Sequence, residues 1–223
     1  MIDDKLVGTA FVPDGVELRL VQHGEAFTIL LEDNELMSTK ASASEEALAI
    51  MTRERLPDRP ALQFLIGGYG MGYTLRAALS VLDEDAHVVV SEIVPEILTW
   101  AKGPMRAFTD GCLDDPRVTV VGEDVALLID SAQDAYDAIL LDVDNGPEGL
   151  TRRSNDGLYS VAGLHRAMAA LRSGGILAIW SAYADPAFTV RLQEAGFRVS
   201  EEEVRARPNG KGFRHLIWFA QKP

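Results

Sequence analysis

A glycine-rich segment between Ile66 and Tyr73 is the part of the sequence best suited to chemistry. It follows an apolar run that predicts a strand, and it opens a segment that predicts a helix. Closely spaced glycines let a backbone turn sharply and approach a ligand, and the N-terminus of the next helix offers free N–H groups. We therefore predict a binding loop whose contacts come from four glycines, Gly67, Gly68, Gly70 and Gly72.

Carboxylates follow the next two predicted strands and indicate what the loop binds. Glu92 lies about 20 residues after the last glycine, where an acid can accept hydrogen bonds from both hydroxyls of a ribose. An acid after the third strand, Asp124 or its neighbour Glu123, can accept a hydrogen bond from an adenine amino group. The glycine spacing is one residue shorter than the dinucleotide pattern. We therefore predict a site for S-adenosylmethionine or its decarboxylated form, with Ile93 as a further contact; alternatively, each acid only caps a helix.

Acidic residues also follow the fourth predicted strand, and we assign them the catalytic roles. Asp142 and Asp144 can hold a substrate amine or remove its proton, because ligands of open α/β sheets bind beyond the carboxyl ends of the strands. Asn145 and Tyr159 are predicted to contact the substrate, although a simple turn is the structural alternative. Asp144, Asn145 and Glu148 are hard oxygen donors, but no cluster of histidine and cysteine accompanies them, so no metal is assigned.

Alternating strands and helices must position these residues. A strand that is apolar throughout, as the fourth is, indicates a sheet covered on both faces. The last two strands are joined by a short connection containing Asn209-Gly210, which predicts an antiparallel pair. We predict an α/β fold with a doubly wound, mainly parallel seven-stranded sheet and a C-terminal antiparallel hairpin, as in the class I methyltransferase fold. Its predicted strands are Leu62–Ile66, His87–Ser91, Val118–Val121, Ala138–Asp142, Ile176–Trp180, Arg198–Val204 and Leu216–Ala220.

The N-terminal part has a different pattern. Residues 17–37 predict an antiparallel hairpin or meander, because short apolar segments there are bounded by turn residues. Ser44 is the expected N-cap of a following helix that Pro57 and Pro60 end. The predicted domains are a small β segment with its helix at 1–58 and a Rossmann-like domain that binds the cofactor at 59–223.

The composition of the chain limits the classes of molecule that it is expected to bind. The chain has 223 residues and a formal net charge of −13, which repels nucleic acids and anionic membranes and attracts small cations. No apolar run approaches the roughly 20 residues of a membrane helix. Cys112 is the single cysteine, so a reducing cytoplasm is the expected location.

Together these segments resemble the spermidine synthase family. In that family the corresponding elements bind decarboxylated S-adenosylmethionine and transfer its aminopropyl group to putrescine. The resemblance also implies a possible homodimer formed through the N-terminal strands. It rests on Phe27-Thr28-Ile29-Leu30-Leu31, Ser44-Glu45-Glu46, Ile66-Gly67-Gly68, Glu92, Leu113-Asp114-Asp115-Pro116-Arg117-Val118, Asp124, Asp142 and Leu171-Arg172-Ser173-Gly174-Gly175.

Three departures from the family pattern decide the predicted reaction. The family has an aspartate at the position of Gly70, another at Asn145, and Tyr-Gln-Glu where this chain has Ser44-Glu45-Glu46. An aspartate in the loop would repel the carboxylate of intact S-adenosylmethionine, whereas glycine leaves room for it. We therefore predict an S-adenosylmethionine-dependent methyltransferase acting on a small molecule. The alternatives are a polyamine aminopropyltransferase and a non-catalytic module that binds the nucleoside.

Overall fold

The computed structural model describes residues 4–13, 15–143, 157–207 and 209–223. Asp144 and Asn145 lie outside these ranges. Within them the chain forms two separate sheets and seven α-helices. None of the helices in the described ranges has the length and apolar character needed to cross a membrane.

The N-terminal sheet is an antiparallel meander with the spatial order β1-β2-β3-β4 among the described residues. Alternate side chains of β2 and β3 are buried, including Leu18, Leu20 and Ile29, so one face of this sheet packs against the rest of the molecule. The predicted meander is confirmed, but it begins earlier than expected. Its strands are Lys5–Phe11, Glu17–His23, Ala26–Leu31 and Asn34–Ser38.

The larger sheet has seven strands in the described ranges, ordered β10-β11-β9-β8-β5-β6-β7. Strands β5 to β9 pair in parallel, whereas β11 pairs antiparallel with both β9 and β10. The predicted mainly parallel sheet with a C-terminal hairpin is therefore confirmed. Its strands are β5 Gln63–Gly67, β6 His87–Ser91, β7 Val118–Val121, β8 Tyr136–Leu141, β9 Leu171–Ser181, β10 Arg198–Arg205 and β11 Arg214–Gln221.

Both faces of this sheet are covered, which explains its apolar strands. In β8, Ala138 and Leu140 join the hydrophobic cluster that includes the N-terminal sheet, while Ile139 and Leu141 join the cluster on the opposite face. The helices are α1 Ala43–Arg55, α2 Tyr73–Val81, α3 Pro95–Lys102, α4 Arg106–Thr109, α5 Val125–Asp130, α6 Val161–Ala170 and α7 Pro186–Glu194.

The predicted start of α1 is wrong. Ser42 holds the N-cap position without a side-chain capping bond, and Ser44 already lies inside the helix. The hydroxyl of Ser44 is buried and contacts Glu45 and, at 2.9 Å, Nδ1 of His215 on β11. The side chain of Ser44, which the local sequence pattern assigned to the N-cap, therefore forms a tertiary contact with His215 instead.

The strand order reverses between β5 and β8. From β5 the chain adds β6 and β7 on one side, then crosses to β8 on the other. In open α/β sheets such a switch point leaves a crevice beyond the carboxyl ends of the strands. Here the crevice lies between Gly67, at the end of β5, and Asp142, which follows β8 and donates its N–H to the carbonyl of Gly67 at 3.1 Å.

Candidate functional site

A cavity occupies this crevice. Its walls come from the glycine loop, the ends of β6, β7 and β8, the start of α1 and the N-terminal sheet. Its lining includes six of the predicted site residues, Gly68, Gly70, Glu92, Ile93, Asp124 and Asp142. Further lining residues, which the sequence did not single out, include Glu45, Met37, Val143 and Trp180.

The glycine loop runs close to its neighbours. Gly68 has φ = 82°, and a Cβ built there would lie 2.8 Å from the backbone oxygen of Asp142. Gly70 has φ = 53°, and its Cβ would lie 2.6 Å from Sδ of Met37 on β4. Glycine is therefore required at Gly68 both for its conformation and for the close approach of two backbone segments.

Glu92 turns toward the glycine loop. Its Oε2 accepts a hydrogen bond from the N–H of Tyr69 at 3.0 Å, and its Oε1 accepts one from the N–H of Val94 at 2.9 Å. Burial raises the pKa of the Glu92 carboxyl, while backbone N–H groups, first that of Val94 and then that of Tyr69, lower it. The backbone N–H groups of Gly70 and Ile93 lower this pKa as well, so Glu92 is held by the backbone of the glycine loop and of the segment after β6.

The two candidates for the adenine contact occupy different positions. Asp124 lines the cavity and is also the N-cap of α5, where its Oδ1 accepts a hydrogen bond from the N–H of Ala126 at 2.9 Å. Glu123 is exposed and is not part of the lining, and its carbonyl accepts a hydrogen bond from the Ser91 hydroxyl. The geometry therefore favours Asp124 for contact with a ligand, and its contact with adenine stays a prediction.

Two of the four predicted glycines shape the loop without lining the cavity. Gly67 ends β5, where a Cβ would meet Leu141 at 3.0 Å. Gly72 is the N-cap of α2 with φ = 74°. Their roles are therefore in the backbone path, while Gly68 and Gly70 border the space where a ligand would lie.

Asp142 lines the cavity at the end of β8. Its Oδ2 accepts a hydrogen bond from the Thr74 hydroxyl at 2.9 Å. Removal from water raises the pKa of Asp142 to about 6, and the hydrogen bond from Thr74 opposes this rise. Asp142 is therefore a carboxylate that exchanges its proton close to neutral pH, which suits the predicted role in acid–base chemistry.

Glu45 is the functional candidate that sequence reasoning missed. Its side chain is 8% exposed, lines the cavity beside Asp142 and accepts a hydrogen bond from the Ser44 hydroxyl. Burial first, and then the charge of Asp142, raise the pKa of Glu45 to about 7. In the sequence it is one of two acids in the first turn of a helix, a pattern that interaction with the helix dipole fully explains. The signal that could have revealed Glu45 is its position in Ser44-Glu45-Glu46, the segment that corresponds to Tyr-Gln-Glu in the spermidine synthase family.

The remaining wall of the cavity is apolar. It is formed by Trp180 on β9 and by side chains of the N-terminal sheet and the segment after β1, namely Val12, Leu18, Ile29, Leu31, Leu36 and Met37. Among the described residues the indole N–H of Trp180 has no hydrogen-bond partner, although it is buried. The site therefore combines an acidic end with an apolar wall, an arrangement suited to an alkyl chain that ends in a cation.

The other predicted substrate and metal residues are placed as follows. Asp144, Asn145 and Glu148 lie outside the described residues. Tyr159 is buried against Phe188 with ring centroids 5.7 Å apart, and its hydroxyl donates to the carbonyl of Val143 at 3.4 Å. Tyr159 is not part of the cavity lining but supports a residue that is. Within the described ranges, no group of three or more histidine, cysteine, aspartate or glutamate side chains is arranged to hold a metal.

The strand order and the cavity at its switch point define the class: a class I methyltransferase-like fold with a cavity beyond the carboxyl ends of its parallel strands. Comparison with solved structures agrees. The chain superimposes with a TM-score of 0.75 and 17% identity on spermidine synthase from Thermotoga maritima, covering 98% of this chain and 73% of that one. A spermidine synthase in complex with the transition state analogue AdoDATO gives a TM-score of 0.74 at 18% identity, with the same coverage.

Sequence comparison points to the same group. The chain is 28% identical over 158 residues to polyamine aminopropyltransferase 2 of Pseudomonas aeruginosa, covering 68% of this chain and 42% of that protein. It is 35% identical over 85 residues to polyamine aminopropyltransferase 1 of Streptomyces coelicolor, covering 37% and 16%. No protein-family model matches the chain. The chain thus spans less than half the length of these curated relatives, and its resemblance to the spermidine synthase family is confirmed.

The prediction that the chain methylates a small molecule is wrong. The relatives and structural neighbours just described are named as aminopropyltransferases and spermidine synthases. The prediction assumed that Gly70 leaves room for the carboxylate of the intact donor; a Cβ at this position would lie 2.6 Å from Sδ of Met37. Two buried carboxylates, Glu45 and Asp142, remain in the cavity and would repel such a group.

Proposed function

We propose that the protein is a polyamine aminopropyltransferase, which transfers the aminopropyl group of decarboxylated S-adenosylmethionine to a small alkyl amine such as putrescine. The observation that carries this proposal is the combination, in one cavity, of a glycine loop with its acidic partner and a buried acidic end. The first part suits an adenosyl nucleoside, and the second suits a cationic amine.

The nucleoside half of the donor fits the glycine loop and the strand ends. Glu92 would accept hydrogen bonds from the ribose hydroxyls, and Asp124 would accept one from the adenine amino group. Ile93 and Val94 follow Glu92 in the lining and offer apolar contact.

In the proposed reaction the acceptor nitrogen attacks the propyl carbon attached to the sulfonium sulfur. A carbon–nitrogen bond forms, the carbon–sulfur bond breaks with its electron pair going to sulfur, and methylthioadenosine leaves. The attacking amine must lose a proton, because an ammonium has no lone pair. Asp142, with its pKa raised to about 6 by burial, is deprotonated at neutral pH and would accept that proton.

The decisive experiment incubates the purified protein with decarboxylated S-adenosylmethionine and putrescine. We expect spermidine and methylthioadenosine in equal amounts, measured by mass spectrometry. Intact S-adenosylmethionine with the same amine serves as the control and should give neither product. Binding of the donor without turnover over a panel of diamines and polyamines would contradict the proposal and favour the non-catalytic nucleoside-binding module.

A homodimer and a cytoplasmic location belong to the same proposal. Strand β1 lies at one edge of the N-terminal sheet and carries the exposed side chains of Leu6 and Phe11. Pairing of two such sheets across a two-fold axis would cover them. Light scattering at micromolar protein concentration tests the dimer.

A further inference from the structure

Four carboxylates line the cavity, and two of them have structural tasks. Glu92 accepts backbone N–H groups of the glycine loop and of the segment after β6. Asp124 caps α5. The remaining two, Glu45 and Asp142, are close enough for their charges to interact, and neither caps a helix of the described residues.

Thr74 links the two residues that carry these carboxylates. Its hydroxyl donates to Oδ2 of Asp142 at 2.9 Å and lies 3.4 Å from the backbone carbonyl of Glu45. Thr74 is in the first turn of α2, directly after the glycine loop, and α1 packs against α2. The start of α1 therefore brings Glu45 to the end of the loop, where the tail of a bound donor would leave the nucleoside site.

Within the described parts of the chain, neither carboxylate forms an ion pair with an arginine, lysine or histidine. His215 approaches only through the Ser44 hydroxyl, and burial lowers the pKa of this histidine, so it is neutral at neutral pH. Two adjacent buried carboxylates without a cation are unfavourable until a positive charge joins them. A ligand with an ammonium group would supply that charge.

We propose that Glu45, beside Asp142, binds the terminal ammonium of the donor and makes the enzyme select the decarboxylated donor over intact S-adenosylmethionine. This inference rests on the proposed function. The glycine loop has no charge at Gly70, so the negative charge that recognises the donor tail comes from α1 instead. A donor with a carboxylate on its tail would be repelled by the same pair.

The experiment compares three ligands by isothermal titration calorimetry on the full chain: decarboxylated S-adenosylmethionine, intact S-adenosylmethionine and methylthioadenosine. Methylthioadenosine has the nucleoside but not the charged tail, so its affinity reports folding and the nucleoside site alone. In Glu45→Gln we expect at least tenfold weaker binding of the decarboxylated donor, with methylthioadenosine changed less than twofold. The preference for the decarboxylated donor over the intact one should shrink by a similar factor.

Glu46→Gln is the matched control, because it removes the same formal charge from the same helical turn at a residue that does not line the cavity. It should leave all three affinities within twofold of wild type. Equal weakening of every ligand in Glu45→Gln, or an unchanged preference between the two donors, would overturn the inference.

The outcomes separate this inference from the proposed function. If the wild-type protein produces spermidine and the Glu45→Gln variant keeps the wild-type donor preference, only the role of Glu45 is refuted. Wild-type protein that binds both donors equally and makes no spermidine would refute both.

Discussion

The hydroxyl of Thr74 controls the basicity of Asp142. It donates to the carboxylate at 2.9 Å and so opposes the rise in pKa that burial causes. A residue with this position and a pKa of about 6 acts as a proton acceptor only above that pH. The activity of the wild-type enzyme should therefore fall as the pH drops below about 6.

Thr74→Val should move this acidic limit to higher pH. The variant keeps the side-chain volume but removes the hydrogen bond, so the pKa of Asp142 rises further and more of it is protonated at neutral pH.

Asp142→Asn should lower kcat at least about 100-fold, because it removes the proton acceptor altogether. Profiles of kcat against pH from 5 to 9 measure both. An acidic limit in Thr74→Val identical to that of wild type would contradict the link between the two residues.

Glu45 should make the free protein less stable as the pH rises. Its pKa is about 7 in the folded protein, raised first by burial, and near 4.5 in an unfolded chain. Between these values the folded state binds more protons than the unfolded state, so stability falls as the pH increases from about 4.5 to about 7. Glu45→Gln should flatten this dependence and melt at a higher temperature than wild type at pH 8.

Thermal melts of both proteins without ligand, at pH values from 5 to 8, give the measurement. Glu46→Gln again serves as the control and should retain the wild-type slope. Equal slopes for wild type and Glu45→Gln would show that Glu45 does not carry the proton uptake.

At the scale of elements, the site depends on two backbone segments that touch. The glycine loop passes so close to the end of β8 that a Cβ at Gly68 would lie 2.8 Å from the backbone oxygen of Asp142. At Gly70 the corresponding neighbour is the end of the Met37 side chain, which moves more easily than a backbone segment. The same substitution should therefore have different consequences at these two glycines.

Gly68→Ala should destabilise the protein by about 2 kcal/mol or more, because it combines a positive φ with a contact that only backbone movement relieves. Gly70→Ala should cost about 1 kcal/mol, since it shares the positive φ but meets only a side chain. Melting temperatures and affinity for methylthioadenosine measure the difference. A larger loss in Gly70→Ala than in Gly68→Ala would contradict the assignment of the rigid contact.

The parallel sheet was predictable because its signals are local. The bounds of β6 and β7 match the predicted strands, since runs of valine between polar turns leave little choice of register. The first strand, Lys5–Phe11, was not predicted, because it contains Gly8 and is a largely exposed edge strand. Its apolar residues do not alternate clearly with polar ones.

The site was predictable only where a strand end defines it. Glu92, Asp124 and Asp142 follow strands, so the topology alone places them at one edge of the sheet. Glu45 reaches the same cavity through the packing of α1 on α2 and β9, and no local pattern reports that contact. Met37 reaches Gly70 through a similar tertiary contact. The mistaken prediction of methyl transfer followed from giving the missing aspartate at Gly70 more weight than the resemblance of the chain as a whole.

At the scale of the whole molecule, the cavity lies between the antiparallel N-terminal sheet and the larger, mainly parallel sheet. The larger sheet supplies the glycine loop, Trp180 and the carboxylates that follow its strands, and the meander supplies most of the apolar wall. The fourth carboxylate, Glu45, comes from α1. Tyr73 on α2 fastens the two parts, since its hydroxyl donates to the carbonyl of Ser38 at the end of β4 at 3.0 Å. The predicted division into domains at residues 58 and 59 stays a prediction. One hydrophobic cluster includes residues from both sides of this boundary.

The net charge of −13 acts on every ligand that approaches this cavity. A negative field concentrates a cationic amine near the protein and speeds its association, and added salt screens that field. The KM for putrescine should therefore rise by about tenfold between 10 mM and 500 mM sodium chloride, as the Debye length falls from about 30 Å to less than 8 Å. The affinity for methylthioadenosine, which carries no charge, should change little over the same range and controls for effects of salt on folding. A KM that is insensitive to salt would mean that short-range contacts inside the cavity alone recruit the amine, and that the acidic surface has no part in binding it.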